Sequence, residues 1–285
     1  MPKVDLHVHT TASDGRYSPT EIVRRAAKLG LTVLAITDHD TVDGINEALD
    51  AAREFPELEI IPGVEINTDV PSGEAHVLGY FLDYTHPELL SVLRDMRTSR
   101  QERAQKMVAK LGELGMPLQW DRIRELAGTG AIGRPHIAQA LLEKGYISTI
   151  REAFDRYISR DGPAYVERTK VTPLDATKLV LRANGLPVLG HPLTIGDPEA
   201  MIRDLAAGGL VGIEAHYGSY NESEVARLVR FADGLNLLTT GGSDYHGLDE
   251  NAETKIGAVH VPSRAVRRLL ALADERSLRH RRETR

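Results

Sequence analysis

Short apolar runs of β character alternate with longer stretches of helical period at both ends of this chain, and that rhythm constrains the fold more than any other feature. From the amino end the order is VDLHV, SPTEIVRRAAKLG, LTVLAIT, DGINEALDAAREF and LEIIPGVEI. Strands separated by helices pair in parallel through right-handed crossovers. The helix starts are marked chemically. Ser18 is an N-cap with Pro19 at the first helical position, Glu21 completes a capping box, and Gly30 suits the left-handed position after the helix. Thr172, Pro173 and Asp175 repeat the start signal before a helix running to about Asn184. The rhythm then resumes with LPVLG, a helix near Glu199 to Ala207, LVGIEAH, a helix near Glu222 to Ala232, LNLLTTGGSD, IGAVHV and a last helix from Ser263.

Residues 88–168 read differently. LLSVLRDMRTSRQERAQKMVAKLGELG, WDRIRELA, PHIAQALLEKG and TIREAFDRYIS are helical patterns with no strand among them. The expected organisation is an α/β chain, a β/α framework over residues 1–87 and 169–285 interrupted by a helical insertion over 88–168 that caps the substrate. Arg276, Arg279, Arg281, Arg282 and Arg285 crowd the last ten residues and read as a solvated tail.

Composition narrows the function. A formal charge of -6 disfavours affinity built on wide phosphate-backbone neutralisation, so duplex DNA is not an expected partner, whereas a local pocket for a small phosphate stays open. Without cysteine there is no disulfide framework and no thiolate zinc site, so any metal must be held by histidine and carboxylate. The longest apolar runs are too short to span a membrane, and a strand begins within three residues of Met1 where a signal sequence would lie, so the expected location is the cytoplasm.

The chemistry gathers at strand ends. VDLHVH brings His7 and His9; LAITDHD brings Asp38, His39 and Asp40; IIPGVE ends in Glu65; AHVLGY starts with His76; VLGHP carries His191; VGIEAH ends in Glu214 and His216; TTGGSDYH carries Asp244 and His246. In parallel β/α barrels, functional residues collect at the carboxyl ends of the strands. A lone histidine is usually a core or surface residue, but this many titratable groups in one cavity would strand buried polar atoms and set carboxylates against one another, at a cost of several kcal/mol. A divalent cation removes that conflict. His7 and His9, two residues apart on a strand, point to the same face and can reach one ion.

The motifs HVHTTASDG, TDHDT, GVEI, AHVLGY, GHP and GSDYHG, spread over residues 7–247, resemble those of the polymerase and histidinol phosphatase (PHP) superfamily of metal-dependent phosphoesterases. Within it, the chain is most similar to the bacterial 3',5'-nucleoside bisphosphate phosphatase group, some members of which also trim short RNA from the 5' side. The resemblance implies a distorted (β/α)7 barrel with a helical insertion between AHVLGY and GHP. It implies three divalent metals per chain, with manganese favoured and iron or zinc compatible with the same donors. The first would be held by His7, His9, Glu65 and Asp244, the second by Glu65, His76 and His191, and the third by Asp14, His39 and His246. The implied reaction is attack of a metal-activated water on phosphorus. Asp40 and His216 are candidates for orienting ligands or passing a proton to the leaving oxygen.

GRPH adds a substrate reading. Arg134 offers a forked donor to phosphate, and His136 lies at the start of the helix PHIAQALLEKG, where open backbone amides favour an anion. These two residues are expected to bind the second phosphate of a bisphosphate. His86, His260 and His280 have no ligand partner in sequence, and GLVGIEAHYG lacks the spacing of a phosphate or dinucleotide loop. The leading expectation is therefore removal of the 3'-phosphate from nucleoside 3',5'-bisphosphates. The alternatives are a 5'-3' exonuclease on short 5'-phosphorylated single strands and a histidinol phosphatase. An inactive metal-binding module of a polymerase is a poor match, because nothing in such a module would require all nine ligand positions.

Overall fold

In the computed structural model, residues 3–70, 73–128, 132–167, 171–249 and 253–279 are described. The strands are β1 (Lys3–Asp5), β2 (Leu31–Ile36), β3 (Glu59–Val70), β4 (Gly73–Tyr80), β5 (Leu186–Gly190), β6 (Gly212–Tyr217) and β7 (Leu238–Gly242). The helices are α1 (Pro19–Lys28), α2 (Ile45–Ala51), α3 (Pro87–Glu113), α4 (Trp120–Ala127), α5 (Arg134–Glu143), α6 (Ile150–Ala153), α7 (Pro173–Arg182), α8 (Pro198–Ala207), α9 (Glu222–Gly234) and α10 (Ser263–Glu275).

The strands form one sheet in chain order. Past β1, the amide of Leu6 donates to Gly241 O at 3.2 Å and that of His9 to Tyr245 O at 3.0 Å. The amide of Asp244 donates to His7 O at 2.9 Å, so the last strand reaches the first and the sheet nearly closes as a barrel. Pairing is parallel except at β4, which runs antiparallel to both β3 and β5. Only two residues separate β3 from β4 in sequence, too few for a crossover helix, so the chain must return alongside itself.

Alternation along the strands builds two apolar layers. On β2, Val33 and Ala35 join Val4, Leu6, Ile61, Leu78, Tyr80 and Val188 within the barrel, closed off by Val266 and Leu269 of α10. Leu34 and Ile36 face the other way, onto Ile22, Val23 and Ala26 of α1. Leu189, Ile213 and Ala215 pack outward on α8 and α9. The helix starts follow their sequence signals: the amide of Glu21 donates to Ser18 Oγ, that of Ser18 to Glu21 Oε2, and that of Asp175 to Thr172 Oγ1. Gly30 takes φ +74° after α1.

Chain contacts divide the molecule into a barrel unit, Met1–Ser91 with Val171–Arg285, and a helical unit, Val92–Lys170. The helical unit has its own core, in which Met107, Leu111, Ile123, Ile137, Leu141 and Ile158 are buried. TIREAFDRYIS is one turn of α-helix that continues as a π-turn over Phe154–Ile158.

Three expectations from the sequence change. IGAVHV is not a strand: Gly257 adopts φ +67° and gives its amide to Asp5 Oδ2 at 2.7 Å, so the segment turns into α10. VDLHV ends as a regular strand at Asp5, whose Oδ1 accepts the His7 amide, and beyond it the segment meets the last strand through scattered backbone bonds and a single bridge, Val8 to Tyr245. The terminal arginines are not uniformly solvated, since Arg279 makes a forked ion pair with Glu59 at 2.7 and 2.8 Å and a third contact with Asp274. His280, Arg281, Arg282 and Arg285 lie outside the described residues, as does the expected insertion boundary at Arg168.

Candidate metal centre

At one end of the barrel the strands deliver their histidines and acids to a common point, Glu65, which is fully buried. The β2–β3 ladder carries it there: the Glu65 amide donates to Asp38 O at 3.1 Å and the Asp40 amide to Glu65 O at 2.9 Å, placing His39 beside it. His76 lies at the amino-terminal half of β4, opposite Asn67 of β3 and Gly190 of β5. The reversed direction of β4 is why this histidine begins its motif while the others end theirs. His191 follows β5, and Asp244 follows β7. Asp40, His191 and Asp244 all hold positive φ, at 51°, 24° and 54°. Non-glycine residues pay about 1–2 kcal/mol for such backbone, and the barrel enforces it where side chains must turn inward.

His7 Nε2 lies 3.1 Å from Glu65 Oε2 and 3.3 Å from Asp244 Oδ1; His9 Nε2 lies 3.2 and 2.9 Å from the same two oxygens. His39 Nδ1 is 3.0 Å from Glu65 Oε2. On the other carboxylate oxygen, Oε1, His76 Nδ1 approaches to 2.6 Å and His191 Nε2 to 3.1 Å, and these two nitrogens are 3.1 Å apart. Asp14 sits farther out, 3.4 Å from His246 Nε2 and 3.9 Å from His39 Nε2 and His9 Nδ1. Donor atoms fall into three overlapping sets, each within 4.8 Å: His7, His9, Glu65 and Asp244; His9, Asp14, His39 and His246; and His39, Glu65 and His76.

The donor atoms suit divalent cations. His7 Nε2, both ring nitrogens of His9, Asp14 Oδ1, Glu65 Oε2 and Asp244 Oδ1 are buried without a hydrogen-bond partner, although opposite charges lie close by. Buried polar atoms left this way are costly, and a shared cation would satisfy them at once. Ionisation points the same way. Burial alone would lift the carboxyls of Glu65, Asp14 and Asp244. The surrounding imidazoles reverse this and hold all three well below the carboxylate range, His39, His7 and His76 acting on Glu65, and His7 and His9 on Asp244. Burial disfavours protonated His7, yet Glu214, Asp244 and Glu65 push its pKa well up, and His9 rises to about 8. Protons held by such an electronegative cluster are exchangeable for metal.

Further residues shape the centre without belonging to the sets. Asp38 accepts from the Thr10 amide, Thr10 Oγ1 and Ser13 Oγ at 2.6–2.8 Å, fixing the turn that presents Asp14. Asp40 accepts from the amide and side chain of Asn67, whose Nδ2 is 3.0 Å from His39 Nδ1. Tyr217 donates to Asp244 Oδ2 at 2.8 Å. The structure does not bring His216 into the sets. Its register shifts at a bulge between Glu214 and His216, and burial together with His260 lowers its pKa. The bulge is what gives Tyr217, not His216, a place beside Asp244. Strict alternation hides this, so sequence alone passed over Tyr217, and Glu214 was noted there only as a strand-end acid.

Within the helical unit, Arg134 and His136 open α5. His136 Nδ1 accepts the Gly133 amide at 3.0 Å, the His136 amide donates to Gly133 O, and Pro135 has no amide. The open amides expected at this helix start are thus partly spent within the chain. The Arg134 guanidinium lies 5.7 Å above the Phe154 ring.

The PHP domain family matches residues 5–160. A 5'-3' exoribonuclease of Haemophilus influenzae is 36% identical over 248 residues, covering 86% of this chain and 90% of its own. A 3',5'-nucleoside bisphosphate phosphatase of Chromobacterium violaceum is 34% identical over 257 residues, covering 88% and 89%. The crystal structure of a Bifidobacterium adolescentis protein inferred to be a metal-dependent phosphoesterase superposes with a TM-score of 0.82 at 31% identity, over 95% of this chain and 96% of that one. A nearly closed seven-stranded barrel with histidine–carboxylate sets at one end, in that company, defines a metal-dependent hydrolase of phosphate esters. The chain belongs to the PHP domain family.

Proposed function

We propose that this enzyme removes the 3'-phosphate from nucleoside 3',5'-bisphosphates, leaving the 5'-mononucleotide and phosphate. The observation that carries the proposal is the three overlapping donor sets linked through His9, His39 and Glu65, with His191 on the second Glu65 oxygen, in a chain 34% identical, over 88% of its length, to a phosphatase of that specificity. His7, His9, Glu65 and Asp244 would hold one cation, Glu65, His76 and His191 a second, and Asp14, His39 and His246 a third. His9 Nδ1 faces the last set and His39 Nδ1 faces Glu65, so both lie between neighbouring sets. Histidine mixed with carboxylate favours manganese, with iron or zinc also accommodated. Bound cations would supply an activated water and neutralise charge on the phosphoryl oxygens. Asp40, through Asn67, keeps the His39 ring oriented, and no proton transfer is assigned to His216.

The helical unit is read as the substrate-recognising part, with Arg134 as the fork that binds the 5'-phosphate and His136 beside it. A guanidinium already resting over an aromatic ring loses little further freedom on gripping a phosphate. A second reading has its own support, the 36% identity to an exoribonuclease. The two reactions share a bond. In each, a nucleotide is anchored by its 5'-phosphate and the P–O3' bond breaks; they differ in whether that phosphorus carries a further nucleotide.

The test is product release by manganese-loaded protein from adenosine 3',5'-bisphosphate, a 5'-phosphorylated trinucleotide and histidinol phosphate, with a chelated control. Rapid metal-dependent loss of only the 3'-phosphate is expected. Preferential turnover of the trinucleotide would move the enzyme to the exonuclease reading, and turnover of histidinol phosphate alone would overturn both.

A further inference from the structure

The carboxylate of Glu214, in β6, is fully buried and touches two of the histidines at once. Oε1 is 3.0 Å from His7 Nδ1, and Oε2 accepts the backbone amide of His191 at 2.8 Å. It belongs to none of the three donor sets. We propose that Glu214 is a positioning residue that prepares both histidines, one after β1 and one after β5, to bind metal. The inference rests on the metal-centre reading above.

With a Glu214 carboxylate oxygen 3.0 Å from Nδ1, a neutral His7 ring carries its proton on Nδ1. That leaves the Nε2 lone pair directed at Glu65 and Asp244, where His7 Nε2 lies buried without a hydrogen-bond partner. The opposite tautomer would face Glu214 with a second lone pair and present an N–H where a cation should go. At His191 the same carboxylate acts on the backbone. This residue holds φ 24° and ψ 60°, a conformation that L-residues avoid. The hydrogen bond from its amide to Glu214 Oε2 offsets that strain, and the turn brings His191 Nε2 to 3.1 Å from Glu65 Oε1. One side chain thus couples the ring of one ligand to the backbone of another, and these two serve different cations in the proposed scheme. Carboxylates that accept from a metal-bound histidine typically change affinity by about 10- to 100-fold when removed.

Two measurements on the full chain test this. Histidine 15N NMR of the zinc-loaded wild-type protein, with His7 assigned by its loss in His7→Asn, should show the Nδ1–H tautomer for His7. Manganese titration calorimetry should show about 10- to 100-fold weaker binding in Glu214→Gln than in wild type, affecting more than one site. The Nε2–H tautomer at His7, or manganese affinity in a folded Glu214→Gln protein within about twofold of wild type, overturns the role of Glu214 and leaves the metal centre standing. Failure of the wild-type protein to bind manganese or zinc at all overturns the metal centre itself. Should Glu214→Gln not fold, the wild-type tautomer alone decides.

Discussion

At the scale of single residues, the centre depends on small side chains as much as on ligands. A Cβ on Gly242 would come 2.5 Å from His7 Cβ and from the His7 amide nitrogen, and 2.8 Å from Asp5 Oδ1. A Cβ on Gly241 would meet His216 O at 2.3 Å. Gly242 therefore lets β7 approach the amino-terminal segment closely enough for Asp244 to stand beside His7, while Gly241 gives room to the neighbouring strand β6. Gly242→Ala should cost about 1–3 kcal/mol by overpacking and weaken manganese binding, checked by denaturant unfolding and metal titration on the same sample. His7→Ala and Asp244→Ala remove donors from the same set and should abolish metal-dependent turnover while circular dichroism stays native; full activity in either would refute the scheme. Arg134→Ala should lower kcat/KM for the 3',5'-bisphosphate by about 10- to 100-fold, as loss of a charge-assisted pair implies, and that for adenosine 3'-monophosphate much less. Equal losses on both would count against a phosphate role. Strand-end position brings most of the nine donor side chains into view in the sequence, and spacing pairs His7 with His9, whereas Asp14 and the division of donors among cations rest on the family resemblance alone. Glu214 and Asp38 stand at strand ends as well, but nothing local says that one serves two histidines and the other a turn.

At the scale of elements, local chemistry set most boundaries. Ser18, Pro19 and Glu21 fix the start of α1 through bonds within four residues, and no tertiary contact is needed to foresee them. Ser18→Ala should cost about 1 kcal/mol of stability in chemical denaturation, with little effect on turnover. WDRIRELA coincides with α4, since a short amphipathic period is itself local information. IGAVHV misleads for the converse reason. Its alternation suits a strand, yet the Gly257 amide is claimed by Asp5, 252 residues away in sequence. Likewise the antiparallel course of β4 decides which end of AHVLGY meets the metals, and the bulge in β6 decides between His216 and Tyr217. Inside the helical unit, Ile137 and Leu141 are fully buried on one face of α5. Ile137→Ala should destabilise by about 2–5 kcal/mol, seen as faster hydrogen exchange across α4 and α5.

At the scale of the whole molecule, bound cations would join residues spread from His7 to His246, drawn from or next to every strand of the barrel unit except β6. Ligands that bind only the folded state raise its stability by mass action, by about 2.7 kcal/mol at a hundredfold excess over Kd. Removing metal with a chelator should therefore lower the thermal midpoint, and manganese should restore it; an unchanged midpoint would count against a metal that bridges the strands. Among the described residues, no helix is long and apolar enough to cross a membrane. By itself the sequence determined the β/α alternation, the helical interruption, the helix caps and the set of histidines and acids available for metal. These are written in period and short-range chemistry, which each stretch of chain carries alone. Only the tertiary structure decided that these donors gather in overlapping sets around Glu65, His9 and His39, that Glu214 grips His7 and His191, and that left-handed backbone at Asp40, His191 and Asp244 turns their side chains inward. Barrel closure joins residues more than two hundred positions apart, and no local pattern encodes which atoms then come within 3 Å.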